Sequence, residues 1–316
     1  MIINALIISN SAANMEVLVV KNEDILGLPE RQVLDGANAK VQCLEFIKDE
    51  YGLSFGPDQV YELSPRSGNR HSFLIYMEHK KEIKKGEFKP LLMIKKLHSP
   101  YGAILCEALG FFWPIMPSSI NNLRRVELHS LFVKKDLHKT QDEVIFYGGS
   151  FNPWHPGHLS CLESCPSNNI IVVPDYNPWK KNQDQSGRCF WDEYRTLCLE
   201  LKDTPYAIYS GFWGLEDPNP TINWIPNIKA KNKGLLLGDD SFCSIKSWKD
   251  SEVLITFLKT IYVVPRMHKK EEVIKVRDEV VKIHPTMEVH ILPEHEYMHE
   301  SSTLLREKIA KLKLSK

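Results

Sequence analysis

A glycine turn between an apolar run and a helix start constrains the fold of this sequence more than any other feature. The run Val144–Tyr147 has the composition of a buried parallel strand, and Gly148 and Gly149 follow it directly. His155 and His158 then stand at i and i+3 where an amphipathic pattern begins. The N–H groups and positive end of such a helix attract an anion, and glycine lets it come close. Both imidazoles lie on one helix face and can reach one phosphate.

The second half of the sequence alternates β-branched runs with amphipathic stretches, which predicts a Rossmann-like parallel sheet with helices on both faces. The predicted strands are Val144–Tyr147, Ile170–Val173, Gly234–Leu237, Ile261–Val264 and Val289–Leu292. The predicted helices begin after Pro156 and span Trp191–Lys202, Glu271–Ile283 and Ser301–Leu312. Ligands of such sheets bind at the carboxyl ends of strands, near a topological switch point. The glycine turn is expected at one of those ends.

The first half has a mixed pattern that predicts an α+β domain. Its expected elements are strands Leu6–Ser9, Val17–Lys21 and Ser72–Met77 and a helix Lys40–Tyr51 that ends at Gly52. The polar stretch Lys134–Asp142 separates the two patterns. We therefore expect one domain over residues 1–140 and a second over residues 141–316.

Composition excludes several classes of protein. The 40 basic and 40 acidic side chains leave no basic excess for binding nucleic acid. No apolar run approaches the ~20 residues that span a bilayer, and the apolar amino terminus is interpreted as a first strand, not a signal peptide. The seven cysteines lack metal-site spacing, which predicts reduced thiols and no protein-bound metal. We expect a cytoplasmic protein with no nucleic-acid or membrane partner, and the sequence leaves homo-oligomer formation open.

The run from Gly148 to His158 resembles the HxGH signature of the nucleotidylyltransferase superfamily. Its longer form, Gly-Ser-Phe-Asn-Pro-x-His-x-Gly-His, is similar to the branch that adenylylates nicotinate or nicotinamide mononucleotide. The resemblance implies catalytic roles for His155 and His158 at the phosphates of ATP. It further implies ATP contacts from Gly149, Ser150 and Phe151 and a mononucleotide contact from Asn152.

Further segments resemble the same family, in its order. Lys181 stands at a basic strand-end position that contacts phosphate, and Trp248 follows a Gly-x-Asp loop. A carboxylate at a strand end accepts ribose hydroxyls, and an indole can stack on a pyridine ring. The resemblance implies mononucleotide contacts from Gly238, Asp240, Trp248 and Arg266. Arg195 also matches a family arginine, with bracing of its helix as the alternative role.

The segment Ser301–Arg306 resembles the Ile-Ser-Ser-Thr-x-x-Arg signature, with Glu300 in place of the isoleucine. Hydroxyl side chains at a helix start cap its N–H groups, which can also bind phosphate. The resemblance implies ATP contacts from Ser301, Ser302 and Thr303. It also implies a catalytic role for Arg306, whose planar fork suits phosphate oxygens.

The resemblance implies adenylyl transfer from ATP, with Mg²⁺ bridging its phosphates, to a pyridine mononucleotide in NAD biosynthesis. One segment departs from the family pattern. The family has a Ser-Tyr-Thr motif near the pocket for the pyridine ring, and only Thr221 of that motif is present here, so the choice between nicotinate and nicotinamide stays open. Further aromatic residues that could form this pocket are Trp179, Trp213 and Trp224. Two alternatives also stay open, namely another phosphorylated acceptor and a nucleotide sensor without turnover.

In the first half, Leu26–Arg31 and Leu44–Leu53 resemble a Nudix box, whose helix carboxylates hold Mg²⁺ at a pyrophosphate. Asp49 and Glu50 stand where the family has a Glu pair, but Phe46 replaces a metal-binding Glu and Arg31 replaces a glycine. An apolar ring cannot bind Mg²⁺. We expect a Nudix-like fold that has lost hydrolysis, with an unrelated α+β domain as the alternative.

Overall fold

The computed structural model describes residues 1–11, 14–22, 25–64, 69–77, 79–94, 97, 99–110, 112, 143–175, 190–213, 219–306 and 311. The predicted domain boundary at residue 140, with Trp179 and Lys181, lies outside these residues. The described residues form two sheets, one in each half of the chain. None of the helices in this part of the chain has both the length and the apolar character needed to cross a bilayer.

The amino-terminal sheet is mixed, which agrees with the predicted α+β domain. Its strands are β1 Ile2–Ser11, β2 Asn14–Asn22, β3 Ile25–Gly27, β4 Glu30–Gln32, β5 Val60–Glu62, β6 Arg70–Met77 and β7 Glu87–Pro90. The central pair β1 and β6 is parallel, and the other neighbours are antiparallel.

Helix α1, Ala39–Tyr51, buries Phe46 and Ile47 and ends at Gly52, as predicted. Gly52 has a φ of 74°, the left-handed conformation that glycine adopts without a Cβ penalty. Its N–H contacts the carbonyls of Ile47 and Lys48, which closes the last turn of the helix.

The carboxyl-terminal sheet is parallel throughout, in the order β10-β9-β8-β11-β12-β13. Its strands are β8 Glu143–Gly149, β9 Ile170–Pro174, β10 Ala207–Ile208, β11 Asn232–Gly238, β12 Thr260–Val264 and β13 Glu288–Ile291. The helices are α3 Pro156–Ser164, α4 Phe190–Glu200, α5 Asp239–Cys243, α6 Ser251–Thr256 and α7 Lys270–Ile283. The predicted strands and the α/β class are confirmed. Strand order reverses between β8 and β11, which makes that pair the topological switch point.

Helix α2, Ser99–Gly110, was not predicted and connects the two halves. Its apolar side chains belong to one hydrophobic core with residues of both sheets. Polar contacts reinforce this core, since Trp191 Nε1 and Arg195 Nη1 of α4 donate to the carbonyl of Ile94 at 2.8 and 3.1 Å. Ser210 Oγ donates to the Cys106 carbonyl at 2.7 Å. Arg195 therefore joins α4 to the amino-terminal half, whereas the sequence suggested that it braces its own helix.

Candidate functional site

The turn after β8 presents the two histidines. Phe151 has a φ of 41°, in the left-handed region that side chains with a Cβ rarely adopt. His155 has extended backbone and precedes α3, and Pro156 occupies the first helical position. A Cβ on Gly157 would lie 3.0 Å from His155 Nδ1 and 3.2 Å from the Tyr297 carbonyl oxygen. Glycine at this position therefore lets the His155 ring and a later loop pack against the helix start.

His158 is buried, and its ring accepts a backbone hydrogen bond. The backbone N–H of His155 donates to His158 Nδ1 at 3.3 Å, so the proton of the neutral ring sits on Nε2. The rings of Phe151 and Trp154 lie with centroids 5.0 Å from the His158 ring. This burial, with the charges of His155 and Arg266, lowers the pKa of His158 to about 2.

His155 is buried beside it, with 4% of its surface exposed. The two ring centroids are 3.7 Å apart. Neither ring nitrogen of His155 has a hydrogen-bond partner among the residues that the structure describes. Burial lowers the pKa of His155, the carboxylate of Glu300 opposes that effect, and the charge of Arg266 adds to it. Buried polar groups are normally paired, so this ring is one that a bound anion would satisfy.

The segment Ser301–Arg306, called the serine motif below, packs against the same turn. Arg306 Nη1 donates to the Asn152 carbonyl oxygen, and Nη2 donates to Thr303 Oγ1 at 2.9 Å. Ser302 Oγ donates to the Pro153 carbonyl oxygen at 3.0 Å. Ser301 Oγ caps the helical turn over residues 302–306 by accepting from the Leu304 N–H at 3.2 Å. The tertiary structure thus brings together two motifs that stand about 150 residues apart in the sequence.

The junction between β11 and α5 approaches the same place. A Cβ on Gly238 would lie 2.5 Å from Asp240 Oδ1 and 3.1 Å from Arg266 Cδ, so glycine permits this close approach. Arg266 Nη2 donates to the Glu300 carbonyl oxygen at 3.0 Å. Asp240 is exposed, whereas Asp239 is fully buried.

Asp239 has a structural role that the sequence did not reveal. Its Oδ2 accepts the backbone N–H groups of Arg266, Met267 and His268 at 2.7, 2.9 and 2.9 Å. This carboxylate fixes the loop after β12 and, through it, the position of Arg266. A carboxylate directly after a strand was the available signal, but nothing in its spacing separated Asp239 from Asp240.

A cavity of about 470 Å³ opens at the switch point between β8 and β11. Its walls include the predicted residues Gly149, Ser150, Thr221 and Trp248. Trp224 also lines it, whereas Trp213 is buried away from it against Tyr194. The cavity lining does not include Asn152, Gly238, Asp240 or Arg266, which surround the histidines and the serine motif instead. Sequence reasoning missed the charged lining residues Asp175 and Lys249.

Helix α1 carries the second candidate site, and protein cations occupy it. Arg31 binds Glu50 Oε1 through Nη2 at 3.0 Å and Nε at 3.1 Å. Its guanidinium lies 5.0 Å from the centroid of the buried Phe46 ring, and Lys85 Nζ lies 3.2 Å from Glu50 Oε2. The described residues contain no group of three or more His, Cys, Asp or Glu side chains placed to hold a metal ion.

Residues 146–308, just over half of the chain, match the family model described as cytidylyltransferase-like. The chain belongs to the cytidylyltransferase-like family. Both histidines, the cavity and the serine motif lie within the cytidylyltransferase-like region.

Several curated relatives carry the name probable nicotinate-nucleotide adenylyltransferase. Those of Chlorobium luteolum, Flavobacterium psychrophilum and Helicobacter pylori are 29, 30 and 32% identical to this chain over 116, 139 and 126 residues. These stretches cover 34, 40 and 36% of this chain and 60, 69 and 69% of the relatives. The chain thus spans about 60% of the length of the Chlorobium relative.

Solved structures similar to the amino-terminal half include Nudix proteins. A MutT/nudix family protein from Enterococcus faecalis has a TM-score of 0.24 and 14% identity, covering 28% of this chain and 42% of that one. The NUDIX domain of Shewanella oneidensis NrtR, solved with ADP ribose, has a TM-score of 0.23 and 11% identity, covering 28% and 71%. At these TM-scores the likeness carries no argument by itself, and the α+β description rests on the strands and helix of this chain.

Proposed function

We propose that the carboxyl-terminal half transfers the adenylyl group of ATP to nicotinate mononucleotide, giving a dinucleotide and pyrophosphate. The observation that carries this proposal is the docking of Arg306 and Ser302 onto the carbonyls of Asn152 and Pro153, beside the buried histidine pair. Histidine, arginine and serine donors around one turn form a set suited to a triphosphate.

The reaction needs no side-chain nucleophile. An oxygen of the mononucleotide 5′-phosphate forms a bond to the α-phosphorus of ATP, and the bond from that phosphorus to the β-phosphate oxygen breaks. The protein positions both phosphates and stabilises the charge of the transferring group. We assign part of this stabilisation to His158. Its Nδ1 accepts the His155 N–H, so its Nε2–H is the group that can donate to a phosphate oxygen. Mg²⁺ enters as part of the MgATP substrate.

The cavity supports a planar ring as the acceptor's base. Trp224 and Trp248 line it, together with Thr221, and its volume suits a small aromatic ligand. It adjoins the glycine turn, because Gly149 and Ser150 are part of its wall. A pyridine ring in this cavity would place the attached ribose phosphate toward the histidines.

Lys249 supports nicotinate over nicotinamide. It is the basic residue in the described lining of the cavity, and its Nζ contacts the neutral side-chain oxygen of Asn223 at 3.4 Å. By contrast, Lys246 is paired with the carboxylate of Glu279 at 2.8 Å. The acidic lining residue, Asp175, lies beside Gly149, to whose carbonyl its backbone N–H donates at 3.1 Å. A carboxylate on the pyridine ring would be attracted to Lys249.

Pyrophosphate release by the full-length protein tests the proposal. MgATP is supplied with nicotinate mononucleotide, with nicotinamide mononucleotide or with no acceptor, and CTP replaces ATP in a parallel series. We expect ATP-dependent release with nicotinate mononucleotide and a weaker reaction with nicotinamide mononucleotide. Tight nucleotide binding without pyrophosphate release from either would instead support a sensor, and release only with CTP would support a different transferase.

A further inference from the structure

Glu300 stands next to His155, at the position where the related signature has an isoleucine. Its Oε2 lies 3.8 Å from His155 Nδ1. Both atoms are buried and lack a hydrogen-bond partner among the described residues, although 41% of the Glu300 side chain is exposed. Buried polar atoms are normally hydrogen-bonded. A small side-chain rotation would bring Glu300 Oε2 and His155 Nδ1 within hydrogen-bonding distance of each other.

Backbone contacts hold Glu300 at this position. Its N–H donates to the Tyr297 carbonyl oxygen at 3.0 Å, and its carbonyl oxygen accepts from Arg266 Nη2 at 3.0 Å. The Tyr297 carbonyl packs close to Gly157, on the side where His155 Nδ1 also lies. The segment over residues 297–300 is therefore anchored on the Nδ1 side of the His155 ring.

We propose that Glu300 is a positioning residue for His155: its carboxylate accepts a hydrogen bond from Nδ1–H, and His155 meets the nucleotide phosphates as an imidazolium that donates from Nε2–H. The proton comes from solvent as the polyanion binds, and no covalent bond changes. This inference rests on the proposed function only in taking a phosphate chain as the bound anion.

The geometry assigns the positive charge to one histidine of the pair. The rings are 3.7 Å apart, so two imidazolium charges would repel. His158 stays neutral because its Nδ1 already accepts the His155 N–H. The charged groups that act on His155 are Arg266 after β12 and Glu300 before the serine motif, and Glu300 alone of these favours the protonated ring.

A histidine side-chain NMR titration of the ¹⁵N-histidine-labelled full-length protein tests the proposal. Spectra of the wild type and of Glu300→Gln are recorded against pH with saturating inorganic pyrophosphate, and the His155 signal is assigned by its loss in His155→Gln. We expect His155 to titrate about one pH unit lower in Glu300→Gln. Without pyrophosphate the shift keeps its direction, so the readout does not depend on that ligand binding. Equal titration of His155 in both proteins overturns the proposal.

The pH–rate profile provides a second readout. Removing the carboxylate lets His155 lose its proton at lower pH, so the high-pH fall in kcat should move to lower pH. At pH 8 we expect kcat of Glu300→Gln to be about tenfold lower than that of the wild type, with a smaller change in KM for ATP. Glu294→Gln, which changes an exposed acid six residues earlier in the chain, should leave kcat and KM unchanged.

A loss in kcat that is the same at every pH would show a structural role and overturn the proposal. Glu300→Ile, which introduces the residue of the related signature, checks that position 300 tolerates substitution. A wild type that releases no pyrophosphate would defeat the proposed function, yet the NMR titration would still decide the role of Glu300.

Discussion

In the carboxyl-terminal half, the ring nitrogens of His155 are buried and have no partner among the described residues. In the amino-terminal half, the carboxylate of Glu50 is bound by Arg31 and Lys85. Both places resemble sites that bind phosphate chains in other proteins. One has buried polar groups without a partner among the described residues, and the other pairs its carboxylate with cations of the protein itself. An unpaired buried polar group costs stability. Such groups are therefore typical of sites where a ligand supplies the partner.

The contrast also explains why hydrolysis is not expected of helix α1. A guanidinium lies where a cation is needed to hold two carboxylates, and the buried Phe46 ring lies beneath it. Arginine cannot be deprotonated in a protein, and it supplies no empty coordination position for a water or a phosphate oxygen. We therefore expect the amino-terminal half to keep the charge balance of such a site without its hydrolytic activity.

The largest expected effect is that of replacing His158 in the carboxyl-terminal half. His158→Ala removes the Nε2–H donor, and we expect kcat for pyrophosphate release to fall by about 10²–10³-fold with a much smaller change in KM for ATP. His290→Ala, on the exposed strand β13, is the matched control and should retain wild-type kcat. Equal losses in kcat and in ATP affinity would indicate a binding role alone.

Acid sensitivity should distinguish the two halves next. The folded protein holds His158 with a pKa of about 2, whereas the unfolded chain takes up that proton below about pH 6.5. The unfolded state therefore binds more protons between these values, and His158 lowers stability as the pH falls through that window, by up to about 1.4 kcal/mol per pH unit.

His158→Gln, which keeps an acceptor for the His155 N–H, should flatten this dependence in denaturant melts from pH 7 to pH 5. Phe46→Leu in α1 should destabilise the amino-terminal half without changing a titratable group, so it should leave the slope as in the wild type. An unchanged slope in His158→Gln would mean that His158 is protonated in the folded protein.

A smaller effect concerns the acceptor. We expect Lys249→Met to lower kcat/KM for nicotinate mononucleotide about tenfold and to leave that for nicotinamide mononucleotide unchanged, because only the acid carries a charge for Lys249 to attract. Lys246→Met is the control, since Lys246 is paired with Glu279 at 2.8 Å and does not line the cavity. Equal losses for both acceptors would exclude charge selection.

The smallest expected effect concerns the ion pair between Arg31 and Glu50 in the amino-terminal half. Arg31→Met should lower the free energy of unfolding by about 1 kcal/mol, because Glu50 loses a partly buried partner. Arg277→Met, whose arginine pairs with its neighbour Asp278, should change it by less than about 0.5 kcal/mol. Neither variant nor the wild type should hydrolyse ADP-ribose with Mg²⁺, and substantial hydrolysis by the full-length protein would contradict the loss of function at α1.

Local patterns predicted the regular elements well. The five predicted strands of the parallel sheet are short apolar runs, and Gly52 marks the end of α1. Helix α2 was not predicted because its apolar residues do not follow an amphipathic period. Helix α4 packs against it, so α2 needs no polar face toward solvent. The two-residue strand β10 is too short to produce a pattern.

The sequence by itself determined the turn that carries the two histidines, since glycines, a helix start and histidines at i and i+3 are local features whose geometry the chain dictates within one turn. Only the tertiary structure decided that Arg306 reaches the Asn152 carbonyl, that Asp239 rather than Asp240 fixes the arginine loop, and that Glu300 faces His155. These contacts join residues distant in sequence, and they depend on strand order in the sheet, which no local pattern encodes.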